Sequence, residues 1–446
     1  MLSLGSSVEC FSIPHFLETL LSICPPTQRL WIAYSGGLDS HLLLYALAQL
    51  RPRFELRAIH IHHGLHAQAD NWAVHCKKVC QVLEIACEVK RVKVHSTPRE
   101  GLEANARSAR YDAIGQLLAP GDVVLTAQHA DDQAETLLLQ LLRGAGVAGL
   151  AAMPPVSRLA KGWLVRPLLA YTRAQLQDYA RQANLHWIED SSNADTRFDR
   201  NFLRHEIMPL LRQRWFRVSL MLSRAARHQA EADELLQILA EEDLQTCKGR
   251  TAKQLFLPAL SRLKPVRQRN VLRFWIKKLG LPLPSTVQLQ HVFSDIVTAK
   301  ADRQPVVRWR GGEVRRYRDF LFAMPNLPPA PNQNLIWSFP ETLPLPFGEL
   351  RTLKVQGRGL KLEPGTLLQV RFRQGGEIFR MRGSRRMVKK LLQTAELPPW
   401  QRPFIPLIYF ENTLIAIPNI GVADGFVAQE GEMGWKIQWN EENNDK

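Results

Sequence analysis

Cysteine and long apolar runs are both scarce in this sequence. Its 446 residues include six cysteines, which are scattered along the chain and form no CxxC pair. Such a set is too sparse for a disulfide framework, so we expect reduced thiols and a cytoplasmic location. No apolar run approaches the roughly 18 residues that a membrane-spanning helix requires. The start of the chain also lacks the basic region and apolar block of a signal peptide.

Acidic residues are fewer than basic ones, and the basic excess is uneven. The chain has 58 Lys and Arg against 42 Asp and Glu, a formal net charge of +16. Residues 351–400 hold twelve Lys or Arg against three Glu, and a second, arginine-rich block covers residues 196–228. Two concentrated basic blocks favour a polyanionic partner. An anionic membrane surface fits less well, because neither block forms a long amphipathic helix.

Strand and helix patterns alternate through the N-terminal part of the chain. Apolar stretches predict strands at residues 30–34, 56–62, 87–94, 122–126 and 163–168. Segments of helical length and period separate these stretches. This alternation predicts an α/β fold with a parallel, doubly wound sheet. Ligands of such sheets bind beyond the carboxyl ends of the strands, so candidate site residues lie at 35–40, 60–65 and 128–132.

Changes in composition predict two further domains after a catalytic domain at residues 1–215. Residues 216–325 predict a linker helix and a mainly helical middle domain, which ends in a hairpin that turns at Gly311 and Gly312. A segment rich in proline and asparagine follows, as is typical of a linker. Residues 335–440 contain short apolar stretches and a predicted basic helix at 385–396. We expect a small, mixed α+β C-terminal domain.

The sequence SGGLDS at residues 35–40 lies between a predicted strand and a predicted helix. Gly36 and Gly37 allow a sharp turn that brings backbone N–H groups against an anion, and the following helix start adds its positive end. Ser35 and Ser40 add hydroxyl donors. Asp39 would repel a phosphate unless a divalent cation lies between them, which points to Mg²⁺. A glycine turn capped by serine explains the turn but not the aspartate, and the spacing is not that of a Walker A loop.

This motif resembles the signature of the PP-loop ATP pyrophosphatases, and further blocks resemble tRNA(Ile)-lysidine synthetases. These blocks are HHGL at 62–65, EANARSARY at 103–111, HADDQAET at 129–136, EDSSN at 189–193 and RNFLR at 200–204. Residues 370–400 and 406–421 resemble the C-terminal region of the same family. The resemblance covers nearly the whole chain and is thinnest between about 230 and 350. The motif alone indicates the superfamily, whereas the combination indicates the family.

The resemblance implies a ligase that uses ATP and Mg²⁺. Members of this family adenylate C2 of the wobble cytidine in a tRNA with a CAU anticodon. The ε-amine of free L-lysine then displaces AMP to give lysidine, so the tRNA reads AUA instead of AUG. The implied partners are tRNA(Ile) and lysine, with no membrane, and a homodimer stays open. The ATP-binding residues implied in this sequence are Ser35, Gly36, Gly37, Leu38, Asp39, Ser40 and His62.

Asp132 and Glu135 are three residues apart on a predicted helix, so their side chains share one face near the strand ends. An acidic pair beside an ATP site suits a cationic second substrate such as lysine. One of the two carboxylates would accept the proton that the amine must lose before it attacks. Capping of the helix start is the alternative, and Asp131 fits that role better.

The remaining candidates are basic. Arg107 is predicted to contact the triphosphate or the charge that develops on the adenylate, whereas Arg110 fits a solvated surface residue equally well. Downstream, Arg200, Asn201 and Arg204 are predicted to contact the tRNA near its anticodon stem. In the C-terminal block we predict salt-sensitive phosphate contacts from Arg385, Arg386, Lys389 and Lys390.

Two other functions fit parts of the pattern. A PP-loop enzyme that installs sulfur in tRNA would need suitably placed cysteines, and no CxxC occurs here. An RNA-binding protein that only senses ATP would need the nucleotide pocket but not the acidic residues. The combination of Asp39, Asp132 and Glu135 therefore favours the lysine ligase.

Overall fold

The computed structural model describes residues 10–49, 53–64, 67–93, 102–189, 195–299 and 303–440. The chain divides into two compact units, Met1–Leu239 and Ala240–Lys446. This division into two does not test the three domain boundaries expected above, which stay a prediction. Within the described ranges, no helix is both long enough and apolar enough to cross a membrane.

The first unit alternates strands with helices, as the sequence pattern predicts. Its strands are β1 (Arg29–Ala33), β2 (Glu55–His62), β3 (Ala86–Arg91), β4 (Val123–Leu125), β5 (Val156–Leu159) and β6 (Gly162–Val165). Its helices are α1 (Ile13–Ile23), α2 (Leu38–Ala48), α3 (Ala69–Val82), α4 (Leu102–Gly115), α5 (Ala130–Leu142), α6 (Val147–Leu150), α7 (Arg173–Gln182), α8 (Asp199–Phe202), α9 (Met208–Arg214) and α10 (Val218–Cys247). A π-helical turn, Leu203–Ile207, joins α8 to α9. Helix α10 continues into the second unit.

The six strands form one sheet in the order β3-β2-β1-β4-β6-β5. Strand β1 pairs in parallel with both β2 and β4, and β6 pairs in parallel with β4. The parallel, doubly wound sheet is therefore confirmed. Strand β5 was not predicted, and it runs antiparallel to β6 at the edge of the sheet. The strand order reverses between β1 and β4, and this reversal opens a crevice at their carboxyl ends.

Apolar side chains cover both faces of this sheet. On one face, Leu30 and Ile32 of β1 pack in a core with Leu42 and Leu43 of α2. On the other face, Trp31 of β1 packs in a second core that includes residues of α4. The central strand is thus buried on both sides, which is why it reads as a continuous apolar run.

The second unit begins with helices and a four-stranded antiparallel sheet, in the order β7-β10-β9-β8. The elements are β7 (Gln254–Phe256), α11 (Leu257–Arg262), α12 (Pro265–Lys278), α13 (Thr286–His291), β8 (Val306–Trp309), β9 (Gly312–Tyr317) and β10 (Phe320–Met324). A π-helical turn, Val292–Val297, follows α13. The hairpin predicted to turn at Gly311 and Gly312 is confirmed as β8–β9.

The rest of the second unit is strand-rich, with one short helix. Its elements are β11 (Leu335–Ser338), β12 (Leu343–Leu345), β13 (Gly348–Gln356), β14 (Leu367–Phe372), β15 (Ile378–Met381), β16 (Ser384–Met387), α14 (Val388–Thr394), β17 (Pro406–Phe410), β18 (Thr413–Ile417), β19 (Gly421–Val422) and β20 (Met433–Asn440). They form a five-stranded sheet in the order β11-β14-β17-β18-β19, a three-stranded sheet in the order β12-β13-β20, and the hairpin β15–β16.

The basic helix predicted at 385–396 is wrong in its first turn. Arg385 and Arg386 lie on β16, where Arg385 pairs with Arg380 of β15. The two-residue turn of this hairpin is Arg382-Gly383, and both residues have positive φ angles of 54° and 71°. Such angles suit a tight hairpin turn and exclude a helix there. Helix α14 begins only at Val388.

Two contacts within the second unit join α14 and the turn after it to the sheet that contains β10. The Glu396 carboxylate accepts hydrogen bonds from Arg250, at 3.0 Å, and from Arg318. The buried Trp400 ring packs edge-on against Phe322, with 5.2 Å between ring centroids. One contact is ionic and exposed, whereas the other is apolar and buried.

Candidate active site

The SGGLDS motif forms the loop between β1 and α2, at the crevice where the strand order reverses. Gly36 has φ +89°, which L side chains rarely adopt, and a Cβ atom there would lie 2.7 Å from Cδ1 of Ile188, so a larger residue would strain the backbone and displace Ile188. The Ser35 and Ser40 hydroxyls lie 2.9 Å apart, and the Ser40 hydroxyl donates to the Gly37 carbonyl. The two serines therefore close the loop. Gly37, the N-cap residue of α2, has no side chain that could cap the first helical N–H groups, which leaves them to an anionic ligand.

Asp39 lies in the first turn of α2 and lacks a partner for one carboxylate oxygen. Its Oδ1 atom is buried and has no hydrogen-bond partner among the described residues. Its Oδ2 atom lies 3.7 Å from Nε2 of His129. Burial raises the pKa of this carboxyl group above its usual range. A buried, unpaired carboxylate oxygen fits a divalent cation, and Asp39 as a Mg²⁺ ligand stays a prediction.

Protein side chains alone do not form a metal site within the described ranges. In the described part of the chain, no three His, Cys, Asp or Glu side chains are grouped so that they could hold a metal ion. A cation at Asp39 would therefore complete its coordination with phosphate oxygens and water, as Mg²⁺ does at many nucleotide sites.

His129 follows β4 and is the N-cap residue of α5. Its Nδ1 atom accepts a hydrogen bond from the Asp132 backbone N–H, at 3.4 Å, and the Asp132 carboxylate accepts from the His129 backbone N–H, at 3.1 Å. Nε2 lies 3.4 Å from Oδ2 of Asp132 and also faces Asp39. His129 therefore links the end of β4 to both carboxylates.

Asp132 and Glu135 lie side by side on α5, as their spacing predicts, and two arginines neutralise them. Arg200 donates to Asp132 Oδ1 and to Glu135 Oε2, both at 2.8 Å. Arg204 donates to Asp132 Oδ1 at 2.8 Å and to both Glu135 oxygens, at 2.7 and 2.9 Å. We call these four residues the carboxylate–arginine cluster. Its carboxylates are largely buried, with 2% of the Glu135 side chain exposed.

Charge within this cluster controls the ionisation of Asp132. Burial alone would raise its pKa, but His129, Arg200 and Arg204 outweigh burial and lower the pKa to about 2. The opposing charges raise the pKa of Arg204 in turn, although burial acts to lower it. Asp132 is therefore fully ionised at neutral pH, and it holds no proton that it could donate.

This arrangement bears on two sets of predicted residues without testing their roles. Asp132 and Glu135 are predicted to bind lysine, and both already have guanidinium partners. Arg200 and Arg204 are predicted to contact tRNA, and both have internal partners. Asn201 of the same block donates to the Asp195 carbonyl at 2.9 Å, which orders the start of α8. All five assignments stay predictions.

A second basic group lies at the carboxyl ends of β4 and β6. The Arg107 guanidinium lies 5.1 Å from the Tyr111 ring centroid and donates to the Tyr111 hydroxyl at 3.4 Å. Gln128, which follows β4, donates to the same hydroxyl at 3.4 Å. Arg166, directly after β6, is buried, and its Nε atom has no partner among the described residues. Sequence reasoning missed Arg166, although an arginine at the end of an apolar strand was a usable signal.

His62 ends β2 and is held by α3 rather than open to a ligand. Its Nε2 atom lies 3.1 Å from the Asp70 carboxylate, which also accepts from Arg91 at 2.6 Å. The ring is buried. Its predicted contact with ATP stays a prediction.

In the second unit, the predicted phosphate-binding residues form an exposed surface. The side chains of Arg385 and Arg386 on β16 and of Lys389 and Lys390 on α14 are all exposed. An open depression of about 400 Å³ runs between the strand and the helix. We call these four residues the basic face. The nearby aromatic rings of Phe379 and Trp400 are buried, as expected for core residues.

Comparison with known proteins identifies the family. A PP-loop domain matches residues 12–211, a TilS substrate binding domain matches 255–322, and a TilS substrate C-terminal domain matches 368–439. The tRNA(Ile)-lysidine synthase of Coxiella burnetii is 43% identical over 98% of this chain and 99% of that protein. The tRNA(Ile)-lysidine synthase of Alkalilimnicola ehrlichii is 42% identical over 94% of this chain and 95% of that protein.

Among solved structures, the U34-tRNA thiolase NcsA of Methanococcus maripaludis aligns with 49% of this chain and 78% of its own. Its TM-score is 0.42 and its identity is 13%, values too low to bear on the activity of this chain. The full-length relatives, in contrast, favour the lysine ligase over the sulfur-installing enzyme. The chain belongs to the tRNA(Ile)-lysidine synthase family, and it is a ligase-type enzyme built on a PP-loop ATP pyrophosphatase domain.

Proposed function

We propose that this protein attaches free L-lysine to C2 of the wobble cytidine, position 34, in tRNA(Ile) with a CAU anticodon. In the first step, the C2 oxygen of the base attacks the α-phosphorus of ATP, and pyrophosphate leaves. In the second step, the ε-amine of lysine forms a bond to C2, the C2–O bond breaks, and AMP leaves with that oxygen. The lysidine product pairs with A instead of G, so decoding changes from AUG to AUA.

The observation that carries this proposal is the unpaired, buried Oδ1 atom of Asp39 beside the uncapped start of α2. Together they offer a cation ligand and anion-binding N–H groups at one point of the crevice. A Mg²⁺ ion bound there would neutralise phosphate charge during adenylation. The loop residues Ser35, Gly36, Gly37, Leu38 and Ser40 would surround the phosphates, and the uncapped N–H groups at the start of α2 would donate to them. The Ser35 and Gly37 N–H groups already donate within the loop, to the Ser40 and Ser35 hydroxyls at 3.2 and 3.4 Å.

Lysine binding requires the carboxylate–arginine cluster to rearrange. Asp132 Oδ1 accepts from both arginines at 2.8 Å, and the Glu135 oxygens accept from the same two residues, so an incoming ammonium would compete with the guanidinium groups for these oxygens. We infer that the lysine ammonium replaces at least one guanidinium, which is an exchange of one cation for another. A displaced Arg200 or Arg204 would then be free to contact an RNA phosphate, as the sequence pattern predicts.

The same exchange governs proton transfer. The attacking amine must be neutral, so one carboxylate of the pair must accept its proton. Asp132 cannot do this while its cationic neighbours keep its pKa near 2. The guanidinium that leaves no longer lowers the pKa of the pair, and the ammonium that replaces it loses its own charge as it gives up the proton, so a carboxylate of the pair can accept that proton. Arg107, held beside Tyr111, would stabilise the negative charge of the departing phosphates.

Incorporation of radiolabelled lysine into a tRNA(Ile) transcript, with ATP and Mg²⁺, tests the proposal. We expect incorporation that depends on ATP and fails on the methionine tRNA with the same anticodon. Asp39→Asn should abolish AMP release while tRNA binding remains nearly intact. The matched control is Asp178→Asn, which changes an exposed carboxylate on α7 and should leave both unaffected.

Three results would overturn this assignment. Equal loss of AMP release and tRNA binding in Asp39→Asn would remove the role given to Asp39. Release of AMP only when a sulfur donor replaces lysine would indicate a thiolation enzyme. No AMP release from the wild-type protein under any of these conditions would indicate a nucleotide-sensing RNA-binding protein.

A further inference from the structure

Two adjacent aromatic side chains face solvent at the turn between α9 and α10. The Trp215 side chain is 53% exposed and the Phe216 side chain is 78% exposed. Arg214 precedes them and Arg217 follows them, and both are exposed as well. We call residues 214–217 the aromatic corner. Scattered single apolar residues are ordinary on a protein surface, whereas two neighbouring exposed rings at one turn indicate an interaction surface.

The backbone of this corner is fixed at both ends. The Trp215 N–H donates to the Leu211 carbonyl at 2.8 Å, and the Val218 N–H donates to the Trp215 carbonyl at 2.9 Å. Beneath the turn, the buried Met208 and Val218 pack against Ala134 of α5. The two rings are therefore exposed on a rigid support.

The same support connects the corner to the candidate active site. Arg212 of α9 and Ser219 of α10 both donate to Oδ1 of Asp131, at 2.6 and 2.7 Å. Asp131 is buried in the first turn of α5, and the next residue is Asp132 of the carboxylate–arginine cluster. The helix turn that holds the acidic pair thus also anchors the aromatic corner.

Charge and shape together favour RNA as the ligand of this corner. The Arg217 guanidinium lies 5.1 Å from the Phe216 ring centroid, so one cation and one ring are presented together. Flat rings flanked by arginines match the two parts of a nucleotide, a base with a π-face and a phosphate. The net charge of +16 favours a negatively charged partner over a neutral or basic protein surface, and the exposed rings suit an RNA base.

We propose that Trp215 and Phe216 form a stacking platform for an unpaired base of the tRNA anticodon loop, and that Arg214 and Arg217 contact the flanking phosphates. This inference rests on the proposed function for the identity of the RNA. A wobble base that reacts in a crevice must leave the stack of the loop, which exposes the faces of its neighbours. The platform would hold such a neighbour at a fixed position relative to α5.

Binding of a labelled anticodon stem–loop RNA to the full-length protein tests the platform. Stacking on an aromatic ring contributes about 1–3 kcal/mol per base, so the double variant Trp215→Ala/Phe216→Ala should raise Kd roughly tenfold or more. The slope of log Kd against log salt should not change, because stacking releases no counterions. Trp215→Phe/Phe216→Tyr keeps both rings and should bind like the wild type.

Two further variants separate stacking from charge and from general surface effects. Arg214→Gln/Arg217→Gln should reduce the salt slope by about 1.4–1.8, because about 0.7–0.9 is lost for each of two phosphate contacts. Val82→Ala is the matched control, since Val82 is an 83% exposed apolar residue on α3. It should leave both Kd and slope unchanged. All variants alter exposed side chains, so we expect unfolding midpoints equal to that of the wild type.

Several outcomes would overturn the platform. One is a Kd of the alanine double variant equal to that of the wild type. Another is an equal loss of affinity for a blunt RNA duplex, which has no unpaired bases. If the wild-type protein is a dimer, and the alanine double variant is a monomer with unchanged RNA binding, the corner serves self-association.

Lysine incorporation distinguishes the failure of the platform from the failure of the proposed function. If the wild-type protein incorporates lysine and the double variant binds RNA normally, only the platform is removed. A wild-type protein that never incorporates lysine, but binds the stem–loop through these rings, removes only the proposed reaction.

Discussion

Arg200 and Arg204 of the first unit carry the same charge as the four residues of the basic face in the second unit, but their surroundings differ. The two arginines are mostly buried, and each contacts two carboxylates at hydrogen-bond distance. The side chains of the basic face are exposed to solvent. Both groups were predicted from the sequence as contacts for tRNA, yet they are in different electrostatic states.

The difference shows that burial and partners decide what a basic residue can do. A buried guanidinium between carboxylates interacts strongly over a short range, and salt screens it little. It can be released only if another cation takes its place. Exposed lysines and arginines attract a polyanion over about 10 Å and lose that attraction as salt rises. Arginine counts along a sequence do not distinguish these two states.

The largest expected effect is the loss of Glu135. Glu135→Ala leaves Arg200 and Arg204 with half of their buried partners, and breaking such a pair typically costs about 3–5 kcal/mol. We therefore expect the free energy of unfolding of the first unit to fall by about that amount, measured by denaturant titration. Glu231→Ala is the control, because Glu231 pairs with Arg227 at 3.9 Å on an exposed surface of α10 and should cost less than about 1 kcal/mol. Similar small losses in both variants would mean that the cluster is no stronger than a surface pair.

A smaller effect concerns acid stability. Native-state partners lower the Asp132 pKa from 3.8 to about 2. A lowered carboxyl pKa contributes stability above the unfolded value, and that stability is lost as pH falls from about 4 towards 2. One pKa unit corresponds to about 1.4 kcal/mol, so Asp132 should contribute roughly 2 kcal/mol. Unfolding measured across this range should show a flatter pH dependence for Asp132→Asn. An unchanged profile would show that the arginines do not act on Asp132 in this way.

The smallest expected effect in free energy concerns the basic face. Replacing Arg385, Arg386, Lys389 and Lys390 by Gln should weaken tRNA binding about tenfold at moderate salt, or about 1.4 kcal/mol. The salt slope should fall by roughly three, because each lost phosphate contact removes about 0.7–0.9. When tRNA binds in the absence of lysine, Arg200→Gln should leave this slope unchanged, because Arg200 then stays paired with Asp132 and Glu135. A slope that responds to Arg200→Gln but not to the fourfold variant would reverse the roles of the two regions.

Local patterns predicted much of the fold because their causes are local. The glycines, serines and aspartate of residues 35–40 define a strand–turn–helix on their own, and the apolar runs of β1, β2 and β4 give the parallel order. The hairpin β15–β16 was missed because its basic residues also fit a helical face. The decisive signal was Gly383, whose positive φ angle requires a turn.

The carboxylate–arginine cluster could not be predicted from spacing. Arg200 and Glu135 are 65 residues apart in sequence, and the contact depends on how α8 returns to the start of α5. The sequence pattern places Asp132 and Glu135 on one face correctly, but it cannot show which cation faces them. For the same reason, the unpaired oxygen of Asp39 follows from tertiary packing and not from the motif.

The contacts of Trp400 and Glu396 determine whether the two fragments would separate after cleavage of the chain between β10 and β11. The segment rich in proline and asparagine, residues 325–334, is the covalent link between β10 and β11. Trp400 and Glu396 follow this segment in sequence, and they contact residues that precede it: Trp400 packs against Phe322, and Glu396 pairs with Arg250 and Arg318. A protease that nicked the link would therefore produce two fragments that stay associated. High salt would weaken only the ionic contact, and the buried ring contact would still hold the fragments together.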